Sequence, residues 1–142
     1  MGIREDIAKN IVDVLKDMSD PKPVLVTREY FEVEKLAITQ FPAIYIQTLN
    51  ETRNDVTMNT NRRQGLLNMV LRVFVRGVEL DRLRNDIIER IEETLDTDRR
   101  RSTAITTMNT QVRAIRVIPR LAPLGEVEIE VEVKYTYLKG ST

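Results

Sequence analysis

The chain contains no cysteine and no histidine. A disulfide is therefore impossible, and so are a thiolate nucleophile, an imidazole base and a Cys/His zinc site. Ser19, Ser102 and Ser141 have no imidazole to activate them. Tryptophan is absent and aromatic residues make up only 5% of the chain. A stacking platform for single-stranded nucleic acid is not supported. Neither charge is in excess, with 22 basic residues against 22 acidic ones. That balance argues against a general nucleic-acid binder, whose footprint is basic. Gly2, Gly65, Gly77, Gly125 and Gly140 are scattered, so they form no phosphate-cradling loop. No apolar run approaches the roughly 18–20 residues that span a bilayer. Arg4, Glu5, Asp6, Lys9 and Asp13 break up any signal-peptide core. The expectation is a cytoplasmic chain that is not an enzyme, uses no cofactor or metal and contacts no membrane.

What is present is ample apolar material. In 142 residues, 42% are hydrophobic. One domain of this size buries about two-thirds of its unfolded surface. Ile3, Ile7, Ile11, Val14, Leu15 and Met18 recur at steps of three and four. This spacing predicts an amphipathic helix over residues 3–18, stopped by Pro21 and Pro23. Val24 to Glu29 reads as a short strand, Tyr30 to Gln40 as either extended chain or a helical turn, and Ala43 to Gln47 as a second strand. Leu49 to Gln64 is rich in Asn and Thr and reads as a long polar loop, of a length usually functional or mobile. Gly65 to Arg76 carries apolar residues on both parities and reads as a central strand. Leu80, Leu83, Ile87, Ile91 and Leu95 predict a second amphipathic helix over 79–95. A polar stretch, 96–110, precedes two strands at 111–119 and 126–138.

The last strand is the cleanest pattern. Val127, Ile129, Val131, Val133, Tyr135 and Tyr137 share one face, and Glu126, Glu128, Glu130, Glu132 and Lys134 share the other. Centring the preceding turn on Pro123 sets Arg120 opposite Glu126, Arg116 opposite Glu130, Val117 opposite Ile129 and Ile115 opposite Val131. Helices and half-wet strands in this order predict an α+β, two-layer domain over 1–142, with a mainly antiparallel mixed sheet and both helices on one face.

Three constellations bear on function. The row Glu126, Glu128, Glu130 and Glu132 reads first as a solvated face. Its spacing of about 6.5–7 Å suits separate charges better than a calcium cage, and in a ring it would form an acidic wall. Arg99, Arg100 and Arg101, beside Asp96 and Asp98, read as a solvated loop or an interface more than as a phosphate grip. Arg62 and Arg63, with Asn54, Asp55, Asn59 and Asn61 of the polar stretch, read the same way.

Taken in order, these elements resemble the tail terminator proteins of long-tailed bacteriophages, the minor tail protein U-like group. The resemblance lies in the N-terminal amphipathic helix, the Phe41-Pro42-Ala43-Ile44-Tyr45-Ile46 strand and the polar insertion at 49–64. It continues through the strand at 65–76, the helix ending on Leu95-Asp96 and the closing Val133-Lys134-Tyr135. It covers nearly the whole chain through order, length and composition, since the family has no diagnostic motif. It implies a structural virion protein at the head-proximal end of the tail: a homo-hexameric ring that ends polymerisation of the tail tube protein and offers a docking surface to a head–tail connector or neck protein. It also implies that genome DNA passes through the bore without specific binding. The polar residues of 49–64 and Arg99–Arg101 are then candidates for contacts with neighbours, and the glutamate row for the bore lining. The alternatives are another neck protein, of head-completion or stopper type, or a small-ligand-binding α+β domain.

Overall fold

The computed structural model describes residues 2–55, 62–98, 101 and 107–138. Helix α1, Ile3–Lys16, buries Ile7, Ala8, Ile11 and Leu15 along one stripe. Strand β1, Leu25–Thr27, is short. Strands β2 (Ala43–Asp55) and β3 (Arg62–Arg76) form a long antiparallel pair. Helix α2, Leu80–Thr97, buries Ile87, Ile91 and Leu95 at four-residue steps. Strands β4 (Thr107–Ile118) and β5 (Leu124–Leu138) complete one five-stranded sheet of order β1-β2-β3-β5-β4. Only β1 runs parallel to its neighbour. The fold is α+β, a mostly antiparallel open sheet with two helices.

Both helices cover the same face. Their stripes meet Leu67, Met69, Leu71, Val73 and Val75 of β3 and Val127 to Tyr137 of β5 in one core. Each fully buried aliphatic side chain there contributes about 1.5–3 kcal/mol. β3 is central, as its two-sided apolar pattern predicts, with β2 on one flank and β5 on the other.

The second face is only partly wet. Residues 28–42 fold across it through two single 3-10 turns, Val33–Lys35 and Ile38–Gln40. Val33, Ala43 and Phe74 form a small second core with Leu25, Phe31, Leu36, Phe41 and Leu124. The rings of Phe31 and Phe74 meet edge to face, 5.6 Å between centroids. The stretch whose sequence suits either extended chain or a helical turn is therefore a lid over the part of the outer face around Ala43, Phe74 and Leu124.

The polar stretches differ from the expected loops. β2 continues to Asp55 and β3 begins at Arg62, so residues 49–55 and 62–64 belong to a ladder that ends with Asp55 opposite Arg63. A bulge between Thr48 and Glu51 takes up one extra residue. Likewise β4 starts at Thr107 rather than at 111. Backbone pairing along a neighbouring strand outweighs a weak side-chain pattern, which is why Asn and Thr content misled here.

The terminal hairpin keeps its expected parity but not its expected register. Val117 pairs with Val127, Ile115 with Ile129, and Arg116 with Glu128. The connection is two residues longer than expected, since Ile118 rather than Arg120 pairs with Glu126, and it holds a turn in which the Leu124 N–H bonds the Leu121 carbonyl at 3.1 Å. A second bulge between Val112 and Ala114 then moves Val112 and Thr110 onto the core side, opposite Val131 and Val133.

Candidate functional site

The glutamate row lies on the outer face, opposite the helices, as the alternation requires. Three of its four members, Glu126, Glu128 and Glu130, are paired with arginines, so it is not a bare acidic wall. Glu126 is 3% exposed and accepts a hydrogen bond from Arg120 Nε at 2.7 Å. Glu128 stands between Arg72 and Arg116, each at 3.4 Å. Glu130 meets Arg116 at 3.3 Å. Glu132 is half-buried and, with Glu130, Arg113, Asn68 and Asn50, lines a cavity of about 300 Å³. The carboxylates raise the pKa of their partners: Glu130, then Glu128, for Arg116, and Glu126, then Glu34, for Arg120. Arg120 also reaches Glu34 of the lid at 2.9 Å and lies over the Phe74 ring. One guanidinium thus ties the β4–β5 turn, the sheet and the lid together. The pairs foreseen between Arg120 and Glu126 and between Arg116 and Glu130 both exist, the second as a diagonal contact. Among the described residues, no group of acidic side chains is placed to hold a metal ion.

The arginine run behaves differently from its expected solvated loop. Arg99 and Arg100 lie outside the described residues. Arg101 is 1% exposed. Its Nη2 donates to the carbonyl of Leu95 at 2.5 Å and to that of Asp98, and its Nη1 donates to Asn10 Oδ1 at 3.4 Å. These carbonyls are the free end of α2, where the helix dipole favours a cation. Burial lowers the Arg101 pKa, opposed by Asp98 and Asp96. Arg101 is an internal clamp joining α2 to α1, not a surface contact.

Along the β2–β3 hairpin, Asn54 is exposed and pairs across the ladder with Gln64. Arg62 Nη1 donates to Thr136 Oγ1 at 3.1 Å. Arg63 lies between Asp55 and Tyr137 in the ladder. Asn59 and Asn61 fall outside the described residues.

A cluster that sequence inspection missed sits at the base of this hairpin. Glu51, whose side chain is 6% exposed, accepts a hydrogen bond from the Tyr135 hydroxyl at 2.5 Å and pairs with Arg53 and, at 3.5 Å, with Arg4. Arg53 also stacks over the Tyr137 ring, 4.8 Å from its centroid. Gly65 makes this possible. A Cβ there would sit 2.6 Å from the Tyr135 ring. The available signal was the Glu51–Arg53 spacing, but the bulge alone turns that pair towards the helices.

No family model and no curated protein sequence matches this chain.

Proposed function

We propose that this protein is a tail-terminator-like structural component of a phage virion. In this role it caps the head-proximal end of the tail tube as a homo-hexameric ring, ends tube polymerisation and receives the neck. The observation that carries the proposal is the β2–β3 hairpin. The polar stretch 49–64 is stiffened by strand pairing as far as Asp55 and Arg63 and braced at its base by Glu51, Arg4 and Tyr135. A rigid polar arm on a compact α+β body suits docking against another assembly.

The outer face is the candidate bore lining. Arg72, Arg116 and Arg120 are each committed to a glutamate, which reduces the positive charge this face offers to a passing phosphate. Lysine at Glu130 and Glu132 would provide phosphate anchors and slow DNA delivery with tail assembly intact. Unchanged delivery would remove the bore assignment.

The deciding experiment mixes purified protein with polymerising tube protein. Particle mass and tube length are read by light scattering and electron microscopy. The expected result is a mass near six subunits, alone or only on tubes, with tubes capped at one end. Removal of residues 52–61 should abolish capping while leaving the body folded. A monomer that leaves tube growth unchanged would reject the proposal.

A further inference from the structure

The two edges of the sheet are alike in one respect. Among the described residues no strand lies beyond β1 or beyond β4, and most of the large exposed apolar side chains flank these two strands. Val24 and Tyr30 bracket β1, at 58% and 76% exposure, while Ile115 and Val117 lie on β4, at 41% and 55%. A long open edge with exposed apolar residues is a template for pairing with another chain.

Three relationships select the partner. The first is register. Val26, Ile44, Val73, Val127 and Val117 form one continuous row across all five strands. Its first four members are buried, and Val117 alone is left half open at the end. The second is direction. β1 runs with β2 and β5, and β4 runs against them. A second copy's β1 laid beside β4 is therefore antiparallel, the better-bonded arrangement. The third is charge. With Arg116 held by Glu128 and Glu130, Glu34 by Arg120, Glu32 by Lys35 and Arg28 by Glu5, β4 still presents exposed Arg113 and the segment following β1 still presents exposed Glu29.

We infer that the ring proposed above closes edge to edge, β4 of one copy pairing antiparallel with β1 of the next, so that Val117 continues its row onto the neighbour's Val26. This inference rests on the ring assembly proposed above and names its contact. Such a contact is heterologous, and it closes when the rotation per subunit divides a full turn. The helices would then form one wall of the ring and the paired-charge face the other.

The absence of cysteine makes a clean test. Thr27 and Arg116 occupy equivalent rows at opposite edges. Within one copy the two strands are four steps apart, about 19 Å, far beyond disulfide reach. A chain carrying Thr27→Cys and Arg116→Cys can therefore crosslink only between copies. On oxidation, with tubes present, it should give a ladder of covalent oligomers ending at a closed ring, while each single variant stops at dimers. Thr27→Cys with Ala114→Cys covers a two-residue shift of register. Val117→Lys, at a half-exposed site, should raise the concentration for half assembly about tenfold, equivalent to about 1.4 kcal/mol, with its far-ultraviolet circular dichroism checking that the monomer still folds. An oligomer that forms normally, yet crosslinks with neither pair and ignores Val117→Lys, would overturn the edge contact and leave the ring standing. A protein that stays monomeric alone and with tubes would overturn the ring itself.

Discussion

The hydroxyl of Tyr135 donates to Glu51 at 2.5 Å, joining residues 84 apart in the chain. The bond fastens the base of the β2–β3 hairpin to the last strand, beneath the first turn of α1. Burial, reinforced by Glu51, raises the Tyr135 pKa well above the usual phenol range. A group raised in the folded state contributes stability that is complete below its unfolded pKa, about 10, and is lost as pH climbs towards the folded value. Urea midpoints should therefore fall above pH 10, and Tyr135→Phe should flatten that fall. At neutral pH the same substitution should cost about 1.5 kcal/mol, because Glu51 loses one donor and keeps Arg53 and Arg4. An unaltered alkaline slope in the variant would refute this account.

Arg101→Ala should lower stability by about 2–3 kcal/mol, since two carbonyls at the end of α2 and Asn10 lose their donor together. Arg101→Lys should restore little, because one ammonium cannot reproduce the forked geometry. Thermal melts of both variants check this. A lysine variant as stable as the parent would show that charge alone suffices.

Gly65→Ala drives a methyl group into the Tyr135 ring. The expected loss is about 1–3 kcal/mol. Combining it with Tyr135→Leu, which removes the ring, should bring a smaller loss than the sum of the two single changes. Strict additivity in a denaturant series would count against the clash.

Arg120→Ala leaves the Glu126 carboxylate buried without its closest partner. Arg120 is itself partly exposed, so its loss costs about 1–3 kcal/mol, whereas removing both charges is milder. The double variant Arg120→Ala with Glu126→Ala should therefore be more stable than Arg120→Ala alone. Glu34, whose pKa is lowered by a backbone hydrogen bond and by Arg120, should also titrate nearer the ordinary carboxylate range in the arginine variant. NMR titration of the side-chain carboxyl would show no change if Arg120 were not its partner in solution.

The helices were legible because Ile7, Ile11 and Leu15, like Ile87, Ile91 and Leu95, repeat at the period of the helix that buries them. β5 was legible for the same reason at period two. Its glutamates were placed on the correct face, but their partners were only half visible, since Arg116 and Arg120 are local to the hairpin while Arg72 and Glu34 arrive from elsewhere in the chain. Arg101 could not be read at all. Nothing in a run of three arginines marks which one turns inward, and the choice is made by the free carbonyls at the end of α2. The β4–β5 register illustrates a finer limit. Parity follows from burial, but the length of the turn decides which of two equally apolar registers is adopted.

The bulge between Thr48 and Glu51 sorts the chemistry of the hairpin arm. Before it, even-numbered residues of β2 face the helices, and after it odd-numbered residues do. Glu51 and Arg53 are thereby drawn to the helix side and neutralise each other, while exposed Thr52 and Asn54 are left on the opposite side. On the neighbouring strands the same side adds two cations, Lys134 in the row of Thr52 and Arg62 beside Thr136 in the row of Asn54. An acidic surface meeting the arm there would be held by hydrogen-bond geometry together with these two cations, and its grip would weaken as ionic strength rises.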